Sequence, residues 1–181
     1  MKNFLGILLG ILLVTSGTNA AEIKDAENTL VMELKDGKVL IEMYPDLAPN
    51  HVARIKELVR KGFYDGLKFH RVIDGFMAQT GDPKGTGTGG SGKKLKAEFS
   101  DKHHGRGTVS MARTSDPDSA DSQFFICFKN AGHLDGQYTV WGQVIEGMEF
   151  VDNIKKGNEN NGKVTDPDVI VSLKVLADIK K

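Results

Sequence analysis

The sequence predicts a mainly β domain in which eight antiparallel strands form a closed barrel capped by two α-helices. Past residue 29 the chain contains eight short segments of strand type, separated by turns and Gly-rich connections, and two segments with helical spacing. Strands that do not alternate with helices favour an antiparallel barrel over a parallel sheet. A chain of 181 residues with 39% hydrophobic residues fits one domain with a sizeable core.

Residues 1–20 have the pattern of a secretory signal peptide. Lys2 supplies the positive start, residues 4–14 are apolar or Gly, and Thr18-Asn19-Ala20 is a small-x-small cleavage site. The apolar stretch is too short to cross a bilayer, although an uncleaved anchor remains the alternative. We therefore expect cleavage near Ala20-Ala21, a short leader over 21–28 and a folded domain over 29–181. The mature protein would be periplasmic or secreted, without stable membrane insertion.

A β-hairpin and a helix are the first predicted elements of the domain. Segments 30–34 and 38–43 flank Lys35-Asp36-Gly37, in which Asp-Gly is a dipeptide typical of hairpin turns. Apolar residues then recur at helical spacing between Pro49 and Gly62, which predicts an amphipathic helix of about three turns.

The rest of the domain is predicted to be mostly strands. Six more strand segments lie at 68–73, 76–80, 108–112, 123–128, 139–144 and 169–176, and residues 148–155 form a second helix. Because side chains alternate along a strand, Phe124 and Phe125 must point to opposite faces.

Composition excludes several function classes. The 24 basic and 24 acidic residues cancel, so no nucleic-acid or anionic-membrane footprint is visible. The single Cys127 excludes an intrachain disulfide, and its apolar surroundings indicate a small buried hydrophobe. The histidines lack zinc-site spacing, so we expect no metal.

The Gly-rich segment 81–94 has two weak nucleotide-binding patterns. Gly85-x-Gly87-x-x-Gly90 matches a dinucleotide fingerprint, but an irregular charged segment follows where that motif needs a helix. A P-loop-like pattern ends in Lys94 where a hydroxyl is needed for Mg²⁺. A flexible loop bordering a peptide groove is the favoured interpretation, and nucleotide binding is a weak alternative.

Segment 69–82, Phe-His-Arg-Val-Ile-Asp-Gly-Phe-Met-Ala-Gln-Thr-Gly-Asp, strongly resembles the signature of the cyclophilins, a family of peptidyl-prolyl cis-trans isomerases. Further blocks at 105–112, 122–126, 134–136 and 140–148 resemble other elements of that family, so the resemblance covers residues 29 to about 177. It implies the same barrel and cofactor-free isomerisation of X-Pro bonds in polypeptide clients. We also expect a monomer.

Carried over by motif, Arg71 corresponds to the catalytic arginine of the family, and Gln79 would hold a carbonyl or orient Arg71. The proline pocket and peptide groove would comprise Phe76, Met77, Gly87, Ala112, Gln123, Phe125 and Leu134. His133 and Tyr138 stand where the best-known eukaryotic members have Trp and His. The Trp of the family contacts cyclosporin, so we expect weak binding of this drug.

Elementary chemistry agrees with this assignment. Rotation about an X-Pro bond has a barrier of about 20 kcal/mol because amide resonance is lost, yet no covalent bond breaks. The enzyme therefore needs no nucleophile and no cofactor, but must hold the twisted amide better than the planar one. Arg71 can donate to the lone pair that the prolyl nitrogen regains. The alternative from another class is a binding module that holds proline-containing segments, with incidental catalysis.

Overall fold

A computed structural model describes residues 25–179, so the predicted signal peptide and its cleavage site lie outside the described residues. This part of the chain contains eight strands and two α-helices, together with three short 3₁₀-helices. The strands are β1 (Thr29–Leu34), β2 (Gly37–Met43), β3 (Arg71–Ile73), β4 (Met77–Thr80), β5 (Thr108–Met111), β6 (Phe124–Cys127), β7 (Val140–Glu146) and β8 (Ser172–Val175). The α-helices are α1 (Pro49–Arg60) and α2 (Met148–Asp152). Across residues 25–179, none of the helices combines the length and hydrophobicity that a membrane crossing needs.

The strands form one antiparallel sheet in the order β3-β4-β6-β5-β7-β2-β1-β8. The prediction of a closed barrel is wrong, because within residues 25–179 the edge strands β3 and β8 do not pair, and the sheet is an open half-barrel. Both edges are shorter than predicted: segments 68–73 and 169–176 are regular over three and four residues. A single bridge between Lys68 and Val169 links the segments that precede them.

The hairpin and α2 also differ in detail from the prediction. Leu34 pairs with Gly37, so the two-residue turn is Lys35-Asp36, one position earlier than expected. A Cβ on Gly37 would lie 2.5 Å from the ring of Phe150 in α2, so close helix packing explains this glycine better than turn geometry does. α2 ends at Asp152, three residues before the predicted end.

Helix α1 is confirmed. Pro49 occupies its first turn, and its apolar face is buried in the main core. The backbone N–H groups of Asn50 and His51 donate to the Glu98 carboxylate at 3.1 and 3.0 Å. This contact satisfies helix N–H groups that have no partner within the helix.

The two faces of β6 contribute to two separate apolar clusters. Phe124, Ile126 and Phe128 belong to the main core beneath α1, which confirms the predicted alternation. Phe125 and Cys127 belong to a smaller cluster on the opposite face. Cys127 is fully buried there, and burial raises the pKa of its thiol to about 12, which agrees with a structural role.

Candidate active site

Arg71 and Gln79 lie opposite each other on β3 and β4. Arg71 Nη1 donates to Gln79 Oε1 at 3.1 Å, and Arg71 Nε donates to the carbonyl of Asn161 at 3.1 Å. The guanidinium is therefore held at two points. Within residues 25–179 its Nη2 group has no acceptor and the side chain forms no salt bridge. Its charge and these donors are free to meet a ligand.

A chain of hydrogen bonds runs from Arg71 to the glycine-rich loop 81–92. Gln79 Nε2 donates to Gln123 Oε1 at 2.9 Å, and Gln123 Nε2 donates to the carbonyls of Gly87 and Gly89 at 3.0 and 2.8 Å. Each glutamine thus accepts from one neighbour and donates to the next. This polarity directs the Gln79 carbonyl oxygen at Arg71, which favours the orienting role among the two roles predicted for Gln79.

An apolar cluster, the candidate proline pocket, lies next to these polar groups, because Gln79 pairs with Phe125 across β4 and β6. Met77, Phe125 and Leu134 are buried within it. Phe76, Ala112 and Tyr138 pack around it and are partly exposed. The structure thus brings together these predicted apolar residues beside Arg71.

The two positions that depart from the eukaryotic pattern lie at the edge of this pocket. The exposed His133 ring lies 5.4 Å from that of Phe76, centroid to centroid, and Tyr138 meets Phe125 edge-on at 5.9 Å. The Arg113 guanidinium lies over the Tyr138 ring at 4.4 Å. Both side chains therefore contact aromatic residues of the pocket.

Loop 81–92 borders the groove and is organised by Asp82. The buried carboxylate accepts from the backbone N–H groups of Lys84, Thr86 and Gly87 at 2.8, 3.0 and 2.6 Å. Burial alone would raise the pKa of Asp82, but these and other backbone donors outweigh it and hold the pKa below its ordinary value.

The nucleotide-binding alternative finds no support in this loop. Backbone N–H groups that would cradle a phosphate already donate to Asp82. Residues 81–107, all of them described, contain no helix whose N-terminus would meet a pyrophosphate. The favoured interpretation, a loop that borders a peptide groove, agrees with the contact between Gly87 and Gln123.

A Ser–His–Asp chain, which the sequence analysis missed, lies beneath the pocket. His104 Nδ1 lies 2.8 Å from Asp135 Oδ1, and its Nε2 lies 3.1 Å from Ser110 Oγ. Burial lowers the pKa of His104, and Asp135 only partly opposes this. Ser110 is fully buried and its hydroxyl donates to the carbonyl of Thr139 at 2.9 Å, so no substrate can reach it. The hydrogen-bonded Ser110, His104 and Asp135 support Phe125, because the Phe125 ring stacks on that of His104 with a centroid distance of 6.3 Å.

The contact between Arg71 and Asn161 was also missed by sequence reasoning. Asn161 acts through its backbone carbonyl, 90 positions from Arg71, so its residue type carries no signal. Among the described residues, no group of three or more His, Cys, Asp or Glu side chains is placed to hold a metal ion.

An open half-barrel of eight antiparallel strands with two α-helices is the fold of the cyclophilins. Comparison with known families agrees, since the model for "Cyclophilin type peptidyl-prolyl cis-trans isomerase/CLD" matches residues 29–175. The chain belongs to the cyclophilin family and is a peptidyl-prolyl cis-trans isomerase.

Individual relatives support this assignment. A "Probable peptidyl-prolyl cis-trans isomerase" of Brucella suis is 51% identical over 183 residues, covering 94% of this chain and 93% of the relative. "Peptidyl-prolyl cis-trans isomerase B" of Bacillus subtilis is 47% identical over 128 residues, covering 69% and 89%. The solved cyclophilin AquaCyp293 from Hirschia baltica superposes with a TM-score of 0.77 at 31% identity, covering 86% of this chain and 76% of that one. A Cryptosporidium parvum cyclophilin, crystallised in the presence of the dipeptide Ala-Pro, gives 0.74 at 29% identity, covering 81% and 98%.

Proposed function

We propose that this isomerase stabilises the twisted X-Pro amide with Arg71 while the apolar pocket holds the proline ring. The observation that carries this proposal is the fixed arginine: hydrogen bonds from two different NH groups orient its guanidinium, and Nη2 has no acceptor among the described residues. We propose that the protein acts as a monomer, because Arg71, Gln79 and the apolar cluster all lie within one chain.

Stabilising the twisted amide requires a hydrogen-bond donor that reaches the prolyl nitrogen. As the C–N bond twists, conjugation is lost and the prolyl nitrogen regains a lone pair that the planar amide lacks. A guanidinium hydrogen bond to that lone pair forms only in the twisted state, so it lowers the barrier rather than tightening ground-state binding. Shortening the time constant of isomerisation from tens of seconds to milliseconds requires lowering the activation free energy by about 5 to 6 kcal/mol. A charge-assisted hydrogen bond together with positioning of the substrate can supply this.

The pocket supplies the positioning. Met77, Phe125 and Leu134 are 1%, 5% and 8% exposed, so packing fixes their positions. Together with the partly exposed Phe76, Ala112 and Tyr138 they form an apolar wall. A pyrrolidine ring against this wall excludes water from the amide and strengthens the arginine hydrogen bond. Gln123 and Gly87 shape the adjoining rim through their mutual hydrogen bond, and Phe76, Ala112, His133 and Tyr138 complete it.

A peptide assay tests the role of Arg71. Isomerisation of a proline tetrapeptide by the purified protein should fall by about a hundredfold or more in Arg71→Ala, the range seen when a transition-state donor is removed. Arg106→Ala is the matched control, because Arg106 also hydrogen-bonds a backbone carbonyl but pairs with Asp152 away from the pocket. An Arg71→Ala protein with wild-type activity would overturn the mechanism. A binding module would instead retain partner binding without any acceleration.

We propose further that the clients are exported proteins. The support is the signal-peptide pattern of residues 1–20, with the positive Lys2 ahead of an apolar stretch and a cleavage site before Ala21. N-terminal sequencing after cell fractionation should find a chain beginning at or near Ala21 outside the cytoplasm. An intact N-terminus in the cytosolic fraction would contradict this proposal.

A further inference from the structure

A second cleft, of about 400 Å³, adjoins the proline pocket. It shares Gln79, Ala112 and Gln123 with the site, and loop 81–92 and the segment around Arg113 form its other walls. Consecutive Cα atoms lie about 3.8 Å apart, so a residue close to a bound proline reaches this cleft. Its chemistry therefore bears on which clients bind.

Two cations line the cleft without an acidic partner. Lys94 is exposed, and neither Lys94 nor Arg113 forms a salt bridge anywhere in the described part of the chain. The Arg113 guanidinium is held in place by donation to the carbonyls of Gln137 and Thr114 at 2.8 to 3.0 Å. Carbonyl acceptors fix its position but leave its charge uncompensated.

The one carboxylate that lines the cleft, Asp121, is already engaged. It accepts from the backbone N–H groups of Ser91 and Gly92 at 2.7 and 3.0 Å and from the Ser91 hydroxyl. The Arg54 guanidinium, which pairs with the Glu57 carboxylate at 2.7 Å, donates through Nη2 to the same hydroxyl at 2.9 Å. These donors offset the negative charge that a ligand would otherwise meet.

Two further carboxylates on the neighbouring turn do not line the cleft. Asp118 accepts from the backbone N–H of Ala97 at 2.9 Å, and Asp116 accepts from that of Asp118 at 2.9 Å. Both are exposed, so solvent and salt screen their charge. The balance of charge at the cleft wall is therefore positive.

We infer that this cleft selects clients with an Asp or Glu side chain close to the proline, and that Lys94 and Arg113 determine this specificity. The inference rests on the proposed function, because it requires the proline ring to lie against Phe125. An acidic side chain in the cleft would meet both cations, whereas a basic one would be repelled.

A peptide series tests the inference. Capped hexapeptides centred on Ala-Pro would carry Glu, Gln or Lys at each flanking position in turn, and kcat/KM would be measured for each. We expect one position at which Glu exceeds Gln by about threefold to tenfold and Lys falls below Gln, the size expected of exposed ion pairs. Added salt should reduce the ratio of Glu to Gln peptides.

Charge-reversal variants locate the effect. Lys94→Glu should invert the Glu-to-Gln ratio, and Arg113→Gln should lower it. Lys93→Glu is the matched control: it makes the same charge change one residue away, on an exposed lysine that does not line the cleft, and should keep the wild-type ratio.

Equal kcat/KM for Glu, Gln and Lys peptides at every position, with the proline bond still accelerated, would overturn this inference and leave the proposed function standing. Equal shifts of the ratio in Lys93→Glu and Lys94→Glu would also overturn it. A folded wild-type protein that accelerates none of the peptides would overturn the proposed function and this inference together.

Discussion

Arg71 Nη1 donates to Gln79 Oε1 at 3.1 Å across the short β3–β4 pair, so Gln79 sets the direction in which the guanidinium points. Gln79 is itself fixed by donation to Gln123. The proposed catalytic donor is therefore positioned by a side chain on a more central strand, since β3 is an edge strand. Hydrogen bonds that orient a catalytic group favour a high rate, because a small displacement of that group slows the reaction strongly.

This relationship predicts that Gln79→Ala lowers kcat by about tenfold to a hundredfold, because the guanidinium loses one of its two anchors. Gln143→Ala is the matched control, as Gln143 donates to the carbonyls of Arg106 and Val144 away from the pocket. Peptide isomerisation rates at saturating substrate provide the measurement. A Gln79→Ala protein as fast as Gln143→Ala would contradict the orienting role.

The neighbouring phenylalanines should separate stability from activity. Phe124 lies in the main core and Phe125 in the pocket cluster. Phe124→Ala should lower the free energy of unfolding by about 3 to 5 kcal/mol, as large cavities do. Phe125→Leu should chiefly raise KM and lower kcat/KM. Urea unfolding and peptide kinetics on both variants test this, and loss of activity in proportion to loss of stability in both would contradict it.

Cyclosporin should bind weakly, because exposed His133 stands where, by the motif resemblance, the best-known eukaryotic members have the Trp that contacts the drug. His133 lies 5.4 Å from Phe76, so a larger indole there would extend the apolar wall. We expect His133→Trp to tighten inhibition by about tenfold, equivalent to about 1.4 kcal/mol. Inhibition curves for the wild type and His133→Trp measure this. Tight inhibition of the wild type would show that the Trp is dispensable.

His70 should make the fold sensitive to acid. Its side chain is 7% exposed, and burial lowers its pKa, although the Asp82 carboxylate and a backbone contact with Lys68 oppose this shift. Below the ordinary histidine pKa of about 6.5, the unfolded chain binds the proton more readily than the native protein. Stability is therefore lost as pH falls from that value towards the lowered native pKa.

Urea unfolding at about pH 7.5 and about pH 5.5 tests this expectation. The loss of unfolding free energy between the two should be smaller in His70→Leu than in the wild type. His133→Gln, at an exposed histidine, is the control and should lose as much as the wild type. An equal loss in all three proteins would exclude His70 as a source of the pH dependence.

Patterns in the sequence predicted the interior of this fold better than its edges. Alternation correctly separated Phe124 from Phe125, because side-chain direction in a strand is a local property. The closed barrel was wrong because closure depends on how the ends of 68–73 and 169–176 meet, and regular pairing there stops after a few residues. The residue types in these two segments do not encode how far apart the strand ends lie.

The candidate site shows the same division. Arg71 and Gln79, which a contiguous motif predicted, lie within hydrogen-bonding distance. The Asn161 carbonyl was not predicted, since a backbone contact leaves no residue signature. Lys94 and Arg113 line one cleft together with loop 81–92, although they are 19 positions apart, and no local pattern reveals that they lie together.

The most direct test of the account separates binding from catalysis at Arg71. Catalysed cis–trans exchange of a saturating proline peptide would be measured by NMR for the wild type and Arg71→Lys, together with peptide affinity. Lys keeps the positive charge but loses the planar fork that Gln79 and Asn161 orient. We predict unchanged affinity with kcat reduced by about tenfold or more, because the arginine bond forms in the twisted state. Unchanged kcat, or an affinity loss that accounts for all of the change, would contradict the account.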